Sequence, residues 1–435
     1  MEAAIELTHS EPDSTVLPEK KEEMLQSKGD LEWLKVTVNP TNNGDIKDST
    51  GGIVRTFAKD ILIDPSTRKV SDLKHVITAV ASSSSVSSAE KFIAEVVSPT
   101  QSTQCTPYGS YEELVKDPNV DIVYIGTPHS HHYQNAMLAL EHDKPVLCEK
   151  ALTVNSRQAE KLYQTAKEKN LFFMEAVWTR YFPLSKTVRK HIMDNDIGEV
   201  VRVTSDLSIG TIPEDGFDVG HRMVNLDLAG GCLLDLGIYA LTWVFQTLYH
   251  TLSPSLREQG GRPRVVGAAI TFEPRTHADE STLMLLEFPK STPSGKTKAH
   301  AVATTAMRVS DDPARGHGNK PEAEVPAVRI QGEKGEIQVW GPIYRPVRYR
   351  LVPKDKDQQI IDRTFEFEGG AHGMMYEADA AARAWLAGDL ESESMPWAES
   401  ILIMEVMDEV RKQAGLQYPD EIETTEYPVK LKARS

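Results

Sequence analysis

The pattern of apolar and polar positions changes twice along the chain. Residues 1 to about 30 are polar and acidic, with a charge-dense stretch at 19–23 and no apolar period, and read as a tail. LEWLKVTV (31–38) has strand character, and the turn-rich polar stretch 39–50 follows it. From residue 51 strands and helices alternate. Ile53, Phe57 and Ile61 recur at helical spacing, HVITAVAS (75–82) is a β-branched run that predicts a buried strand, and 87–96 predicts a helix. VDIVYIGTP (120–128), KPVLCEK (144–150) and LFFMEA (171–176) predict further strands with helices between them. The clearest helix has Asn155 as N-cap and Ala159, Leu162, Tyr163 and Ala166 on one face. Short buried strands alternating with helices predict a doubly wound parallel sheet.

After about residue 177 longer strands follow one another: 200–209, 264–273, 281–288, 298–307, 326–341 and 346–353, with a Gly-Glu-Lys-Gly turn at 332–335. They predict an antiparallel or mixed open-faced sheet in an α+β arrangement. Ile403, Val406, Met407 and Val410 mark a late helix stopped by Gly415 and Pro419. The expected organisation is an atypical segment over 1–49, an α/β nucleotide domain over 50–176, and a sheet domain for substrate and dimerisation over 177–435.

Composition narrows the partners. With 40% hydrophobic and 26% charged residues the 435-residue chain is ordinary for a soluble protein, and its net charge of −16 argues against nucleic acid or an acidic membrane surface. No apolar run approaches the about 20 residues that span a bilayer. The first residues lack a signal-peptide pattern, and the three cysteines, Cys105, Cys148 and Cys232, lie too far apart for a disulfide framework. A cytoplasmic protein is expected.

Ligands of an open parallel sheet bind beyond the carboxyl ends of its strands. Three predicted strand ends carry unusual residues there: Gly126-Thr127-Pro128-His129-Ser130-His131-His132, Cys148-Glu149-Lys150, and Met174-Glu175-Ala176-Val177-Trp178-Thr179-Arg180-Tyr181. A lysine closing a buried strand is either an exposed loop residue or a desolvated amine suited to proton transfer. The histidines lack a neighbouring Cys or Asp and suit a helix start or a loop beside a cofactor better than a metal. Further on, LAGGCLLDLGIYALTWVF (228–245) puts Asp235 and Tyr239 four residues apart, on one helical face. They bond each other, or they join Lys150 to polarise a hydroxyl, with the ammonium lowering the phenol toward use as a base.

Taken in order, the glycine loop, GTPHSHH (126–132), EK (149–150), MEAVWTRYFPL (174–184), HRMVNLDLAGG (221–231) and DLGIY (235–239) strongly resemble the glucose-fructose oxidoreductase/inositol dehydrogenase (Gfo/Idh/MocA) superfamily. The likeness runs from about residue 50 to 419. It is strongest to the branch of dimeric dihydrodiol dehydrogenases and fungal NADP-dependent D-xylose 1-dehydrogenases. The resemblance implies a Rossmann domain, an open-faced sheet that packs on a second copy, and hydride transfer between NADP and a sugar or diol carbon. It implies Lys150 and Tyr239 as the proton-handling pair, with Asp235 as a catalytic or orienting acid. By the same resemblance Thr50, Gly51, Gly52, Ile53, Ser82, Ser83, Thr127, Pro128, His129, His132, Glu149 and Lys150 border the cofactor, and Trp178, Arg180, Arg222 and Asp235 border the substrate. D-xylose oxidised at C1 is the leading reaction. A trans-dihydrodiol dehydrogenase and a catalytically silent sugar or nucleotide sensor with a damaged cofactor loop are the alternatives.

The departures lie on the cofactor side. Asp45-Ile46-Lys47-Asp48 stands where relatives have an apolar strand, and Val54 takes the place of a third glycine or alanine, where its bulk is expected to push helix from strand. Either 31–38 supplies the strand through a long loop, or the N-terminal segment is foreign and the site is crippled. The length of the polar insertion favours the second. No acid follows 75–82, which speaks against NAD, and Val86-Ser87-Ser88 stands where relatives carry an arginine, so weakened NADP binding is expected. Ala151 replaces the proline that usually follows EK.

Overall fold

The computed structural model describes residues 32–39, 51–258, 261–292, 295–314 and 325–431. Its first sheet contains β1 (Glu32–Asn39), β2 (Leu73–Ala81), β3 (Thr106–Tyr108), β4 (Ile122–Ile125), β5 (Val146–Glu149) and β6 (Phe173–Ala176). Their order is β3-β2-β1-β4-β5-β6, and every neighbouring pair is parallel. β4, β5 and β6 are buried at every position, as expected of strands covered by helices on both faces.

β1 answers the question of the missing strand. It pairs with Leu73–Val80 on one side and with Ile122–Ile125 on the other, so it holds the central position of the sheet. The stretch 31–38, set apart with the atypical segment 1–49, therefore supplies the strand. The favoured reading, a foreign N-terminus with no strand in this place, is overturned. The connecting residues 40–50, with Thr50 and the charges at 45–48, lie outside the described residues.

Val54 does not force its helix off the sheet. It sits in the helix Gly51–Ile61 and is fully buried. Space for it exists because β4 is followed by Gly126: a Cβ there would stand 2.5 Å from Val54 Cγ2. One turn on, Phe57 stacks on Tyr124 with ring centroids 3.7 Å apart and planes within 1°. The missing side chain on the strand side offsets the extra one on the helix side.

The second sheet contains β7 (Val200–Ser208), β8 (Arg264–Phe272), β9 (Asp279–Thr292), β10 (Gly295–Ala306), β11 (Pro326–Gly332), β12 (Gly335–Trp340), β13 (Arg348–Pro353) and β14 (Ile361–Thr364). Its order is β14-β13-β12-β11-β7-β10-β9-β8, mixed because β7 and β10 run parallel while the other pairs are antiparallel. A π turn, Leu233–Gly237, leads into the helix Ile238–Leu248, which packs on β7 and β10. The stretch Leu226–Leu248 is long and apolar enough, by length and composition, to cross a membrane, contrary to the sequence expectation of no such run; its apolar window is wholly buried inside the protein.

The C-terminal part returns to the first sheet. The helix Trp397–Ala414 ends at Gly415, φ 81°, as its sequence predicts, and packs on β8 and on the helix Ser156–Glu168. Asn155 caps that second helix by accepting from Gln158 N at 3.1 Å, while its amide donates to Glu423 O at 2.9 Å.

Candidate active site

The chain crosses from β1 to β2 and β3 on one side of the sheet and returns at β4 on the other. The rim beyond β1 and β4 is therefore the switch point where ligands of such sheets bind. A cleft of about 350 Å³ opens there. Its sheet-side wall holds Gly52, Ile53, Thr56, Thr127, Pro128, His129, Glu149 and Lys150, and its opposite wall holds Trp178, Arg222, Leu228, Asp235, Leu236, Tyr239, Tyr344 and His372. The two halves of the chain thus meet over one cavity.

Lys150 is its centre. The strand β5 ends at Glu149, which aims the next side chain across the cleft. Lys150 Nζ donates to Asp235 O at 2.7 Å and Asp235 Oδ1 at 3.0 Å, and lies 4.8 Å from the centroid of the Tyr239 ring. Arg222 Nη1 donates to the same Asp235 oxygen at 2.9 Å. Burial works against a charged Asp235, yet Arg222 and Lys150 hold its carboxyl far below the usual carboxylate range. Asp235 and Tyr239 do not bond each other in this arrangement, because each has its own partners: the Tyr239 hydroxyl accepts from Trp178 Nε1 at 2.7 Å.

The expected lowering of the phenol by Lys150 is not found. Burial, and next the Glu149 charge, push Tyr239 well above 10, and the Trp178 bond is the main pull the other way. The physical reason is placement: the ammonium sits over the ring face and is engaged by Asp235.

Glu149 is buried, accepts from the Tyr124 hydroxyl at 2.6 Å, and is lifted to about 7 by burial against the opposing pull of that bond and of Lys150. His129 faces Ala229 O through Nδ1 at 3.3 Å and is held neutral, its pKa pushed down to about 3 mainly by burial.

Four predicted residues stand elsewhere. His132 is buried behind the cleft wall, its ring between the carbonyls of Thr127 (2.7 Å) and of Ala151 and Leu152 (3.0 and 3.1 Å); it holds the corner after Lys150, where the Lys150–Ala151 bond is cis, and touches no part of the cavity. Arg180 is fully buried, donates from Nε to Ser394 O at 3.0 Å, and pairs with Glu399 at 2.7 Å. It is a structural ion pair under Trp178 and does not line the cleft. Ser82 and Ser83 follow β2 on the same rim but outside this cavity, with Ser82 Oγ 2.9 Å from Ser84 Oγ.

Sequence reasoning missed Thr56, Leu228, Leu236, Tyr344 and His372. Thr56 lies one turn past Gly52, and the two leucines flank motif residues, so proximity could have found them. Tyr344 follows β12 and His372 precedes the helix Met375–Ala387; nothing in either loop's sequence joins it to the cleft. They are brought in by packing: Tyr344 stacks on Trp178 at 6.1 Å, and Asp60 accepts from the backbone of His372 at 3.0 Å.

The cleft fits a dinucleotide. Gly52 lines it, and a Cβ there would project into open space within the cradle. The helix beginning at Gly51 carries no acid in its first turn, so its amides and dipole suit a pyrophosphate.

Comparison with known proteins agrees. The family model described as "Oxidoreductase family, NAD-binding Rossmann fold" matches residues 51–177. The chain is 50% identical to the D-xylose 1-dehydrogenase (NADP(+)) of Hypocrea jecorina over 88% of its own length and 94% of the relative's. It is 33% identical to the trans-1,2-dihydrobenzene-1,2-diol dehydrogenase of Xenopus tropicalis over 72% of this chain and 84% of the relative. Among solved structures, KijD10, a 3-ketoreductase from Actinomadura kijaniata, superposes with a TM-score of 0.63 at 21% identity, covering 87% of this chain and 98% of that one. A levoglucosan dehydrogenase superposes with a TM-score of 0.67 at 15% identity, covering 88% and 97%, and both speak for the fold. The chain belongs to the Gfo/Idh/MocA family of oxidoreductases with an NAD-binding Rossmann fold.

Proposed function

We propose that this protein is an NADP-dependent oxidoreductase that oxidises D-xylose at C1 to the lactone. The observation that carries the reading is 50% identity along almost the whole chain to an enzyme of that name. It is supported by Lys150, Asp235 and Tyr239 meeting in one cleft beside Gly52.

Gly52 and Ile53 at the N-terminus of the helix Gly51–Ile61, with Thr127, Glu149 and Lys150, would hold NADP, which would supply the hydride acceptor for C1. Around it the chain manages the proton. The anomeric hydroxyl is directed to the Tyr239 oxygen, whose Trp178 bond stabilises negative charge there. Asp235 stays ionised and fixes Lys150 and Arg222, so two cations are held in the cleft that also holds Tyr239. Because burial raises Tyr239, the base form is gained as pH rises. Oxidation therefore accelerates toward alkaline pH, and reduction of the lactone, which needs the protonated phenol, does not.

The apolar lining from Leu228, Leu236, Trp178 and Tyr344 favours a second substrate class, a trans-dihydrodiol. The silent-sensor reading loses its main ground with β1 in place. On the face of the second sheet opposite the buried Ala299, Ala301 and Ala303, Leu283 and Leu285 are 46% and 39% exposed. We propose a second copy of the chain against that face and a cytosolic location; sedimentation and cell fractionation test them. The catalytic reading is tested by following absorbance of the reduced cofactor with NADP and D-xylose. Turnover is expected, and its loss in both Lys150→Met and Tyr239→Phe. Faster turnover of a trans-dihydrodiol than of any aldose would remove D-xylose as the substrate.

A further inference from the structure

The segment that carries Asp235 and Tyr239 begins at Leu233 with no capping side chain of its own. Such a start leaves backbone N–H groups without intrahelical partners. One is satisfied from outside: Leu233 N donates to Asp279 Oδ2 at 2.6 Å. Asp279 is the first residue of β9, fully buried, and the same oxygen accepts from Thr282 Oγ1 at 2.9 Å. The carboxylate reaches this place because Gly231 has no side chain. A Cβ on Gly231 would lie 1.7 Å from Asp279 Oδ1, and its φ of +127° is one that other residues rarely adopt. Gly230 is equally constrained, since its Cβ would stand 2.5 Å from Arg222 O. The two glycines therefore draw β9 and the Arg222 turn onto the start of one segment. Two residues later that segment presents Asp235, and six residues later Tyr239.

We propose that Asp279 is a positioning residue of the reaction: it tethers Leu233 to β9 and so sets the height of Asp235 and Tyr239 above Lys150. It does not line the cleft. The second sheet thereby becomes part of the catalytic geometry rather than only a support. The kinetic half of this inference rests on the reaction proposed above; the tether itself does not.

Three variants test it. Asp279→Ala removes the acceptor. Asp279→Asn keeps one at the Oδ2 position and places its amide where Oδ1 has no partner. Gly231→Ala drives Oδ1 away. For Asp279→Ala and Gly231→Ala, kcat falls about 10- to 100-fold while KM for NADP stays within about twofold. Asp279→Asn restores kcat to within about threefold, its defect appearing as a lower Tm. Amide exchange of the peptide covering 230–240 speeds up in Asp279→Ala and not in Asp279→Asn. Exchange reads the tether whatever the substrate, so its failure and a failure of the D-xylose assignment are distinguishable. Unchanged exchange in Asp279→Ala, or Asp279→Asn as inactive as Asp279→Ala, overturns the proposal. Should Asp279→Ala not fold, Gly231→Ala carries the same comparison with the carboxylate intact.

Discussion

Trp178→Phe isolates the one hydrogen bond that favours an ionised Tyr239. The indole donates from Nε1 to the phenol oxygen at 2.7 Å, and this bond is the largest influence that lowers the phenol's pKa. Phenylalanine keeps the ring packing against Phe182, whose centroid is 5.4 Å away, and against Tyr344 at 6.1 Å, so the change is mainly the lost donor. A neutral hydrogen bond contributes about 1 kcal/mol and one to a charged partner about 1.5–3 kcal/mol. The phenolate therefore loses about 1–2 kcal/mol more than the phenol, which is about one pH unit at 1.36 kcal/mol per unit. The Tyr239 pKa, already raised by burial, rises further. At neutral pH the fraction of base form falls about tenfold, and kcat for oxidation falls with it. The assay is kcat against pH with saturating NADP and D-xylose, run in both directions. The oxidation profile of Trp178→Phe is expected to move up by about one unit while lactone reduction at neutral pH changes little. A profile superimposable on the parent's would refute the assignment of Trp178 as the group that stabilises the phenolate, whatever happens to KM.

Two further outcomes follow from packing and burial. Gly126→Ala drives a methyl against Val54 Cγ2, 2.5 Å from the Cβ position, at a cost of about 1–3 kcal/mol. NADP affinity measured by calorimetry falls about tenfold, and Val54→Ala in the same chain returns it toward the parent value; simple additivity of the two changes would contradict the packing argument. Burial lifts Glu175 from an ordinary 4.5 to about 7, so the folded state binds that proton more tightly than the unfolded chain does. This contribution to stability is full below the unfolded value and is lost as pH rises through about 7. Glu175→Gln keeps the acceptor for Leu152 N, bonded at 2.9 Å, and a partner for Ser400. Its Tm should fall less than the parent's on going from about pH 5 to pH 8; an equal fall disproves the linkage.

The strand and helix order was largely legible, because burial on two faces writes continuous apolar runs and helix faces write a 3.6 period. Thus 75–82, 144–150 and 171–176 emerge as β2, β5 and β6, and Asn155 caps the helix expected of it. The site was legible where a motif ends a strand, as with Lys150, or shares one helical face, as with Asp235 and Tyr239, and the structure brings all three to one cleft. It was misread where a charged residue inside a motif serves the core: Arg180 pairs with Glu399, more than two hundred residues away in sequence.

By itself the sequence determined the parallel sheet, the later mixed sheet and the identity of the titratable residues that line the cleft, since each depends on local period or on side-chain chemistry. Only the tertiary structure decided that 32–39 occupies the centre of the first sheet and that Gly126 makes room for Val54. It also decided that Asp235, rather than Tyr239, holds the Lys150 ammonium. These are matters of which distant groups come within a few ångströms, and the balance between burial and Coulomb attraction at a given atom is set by that distance rather than by residue type.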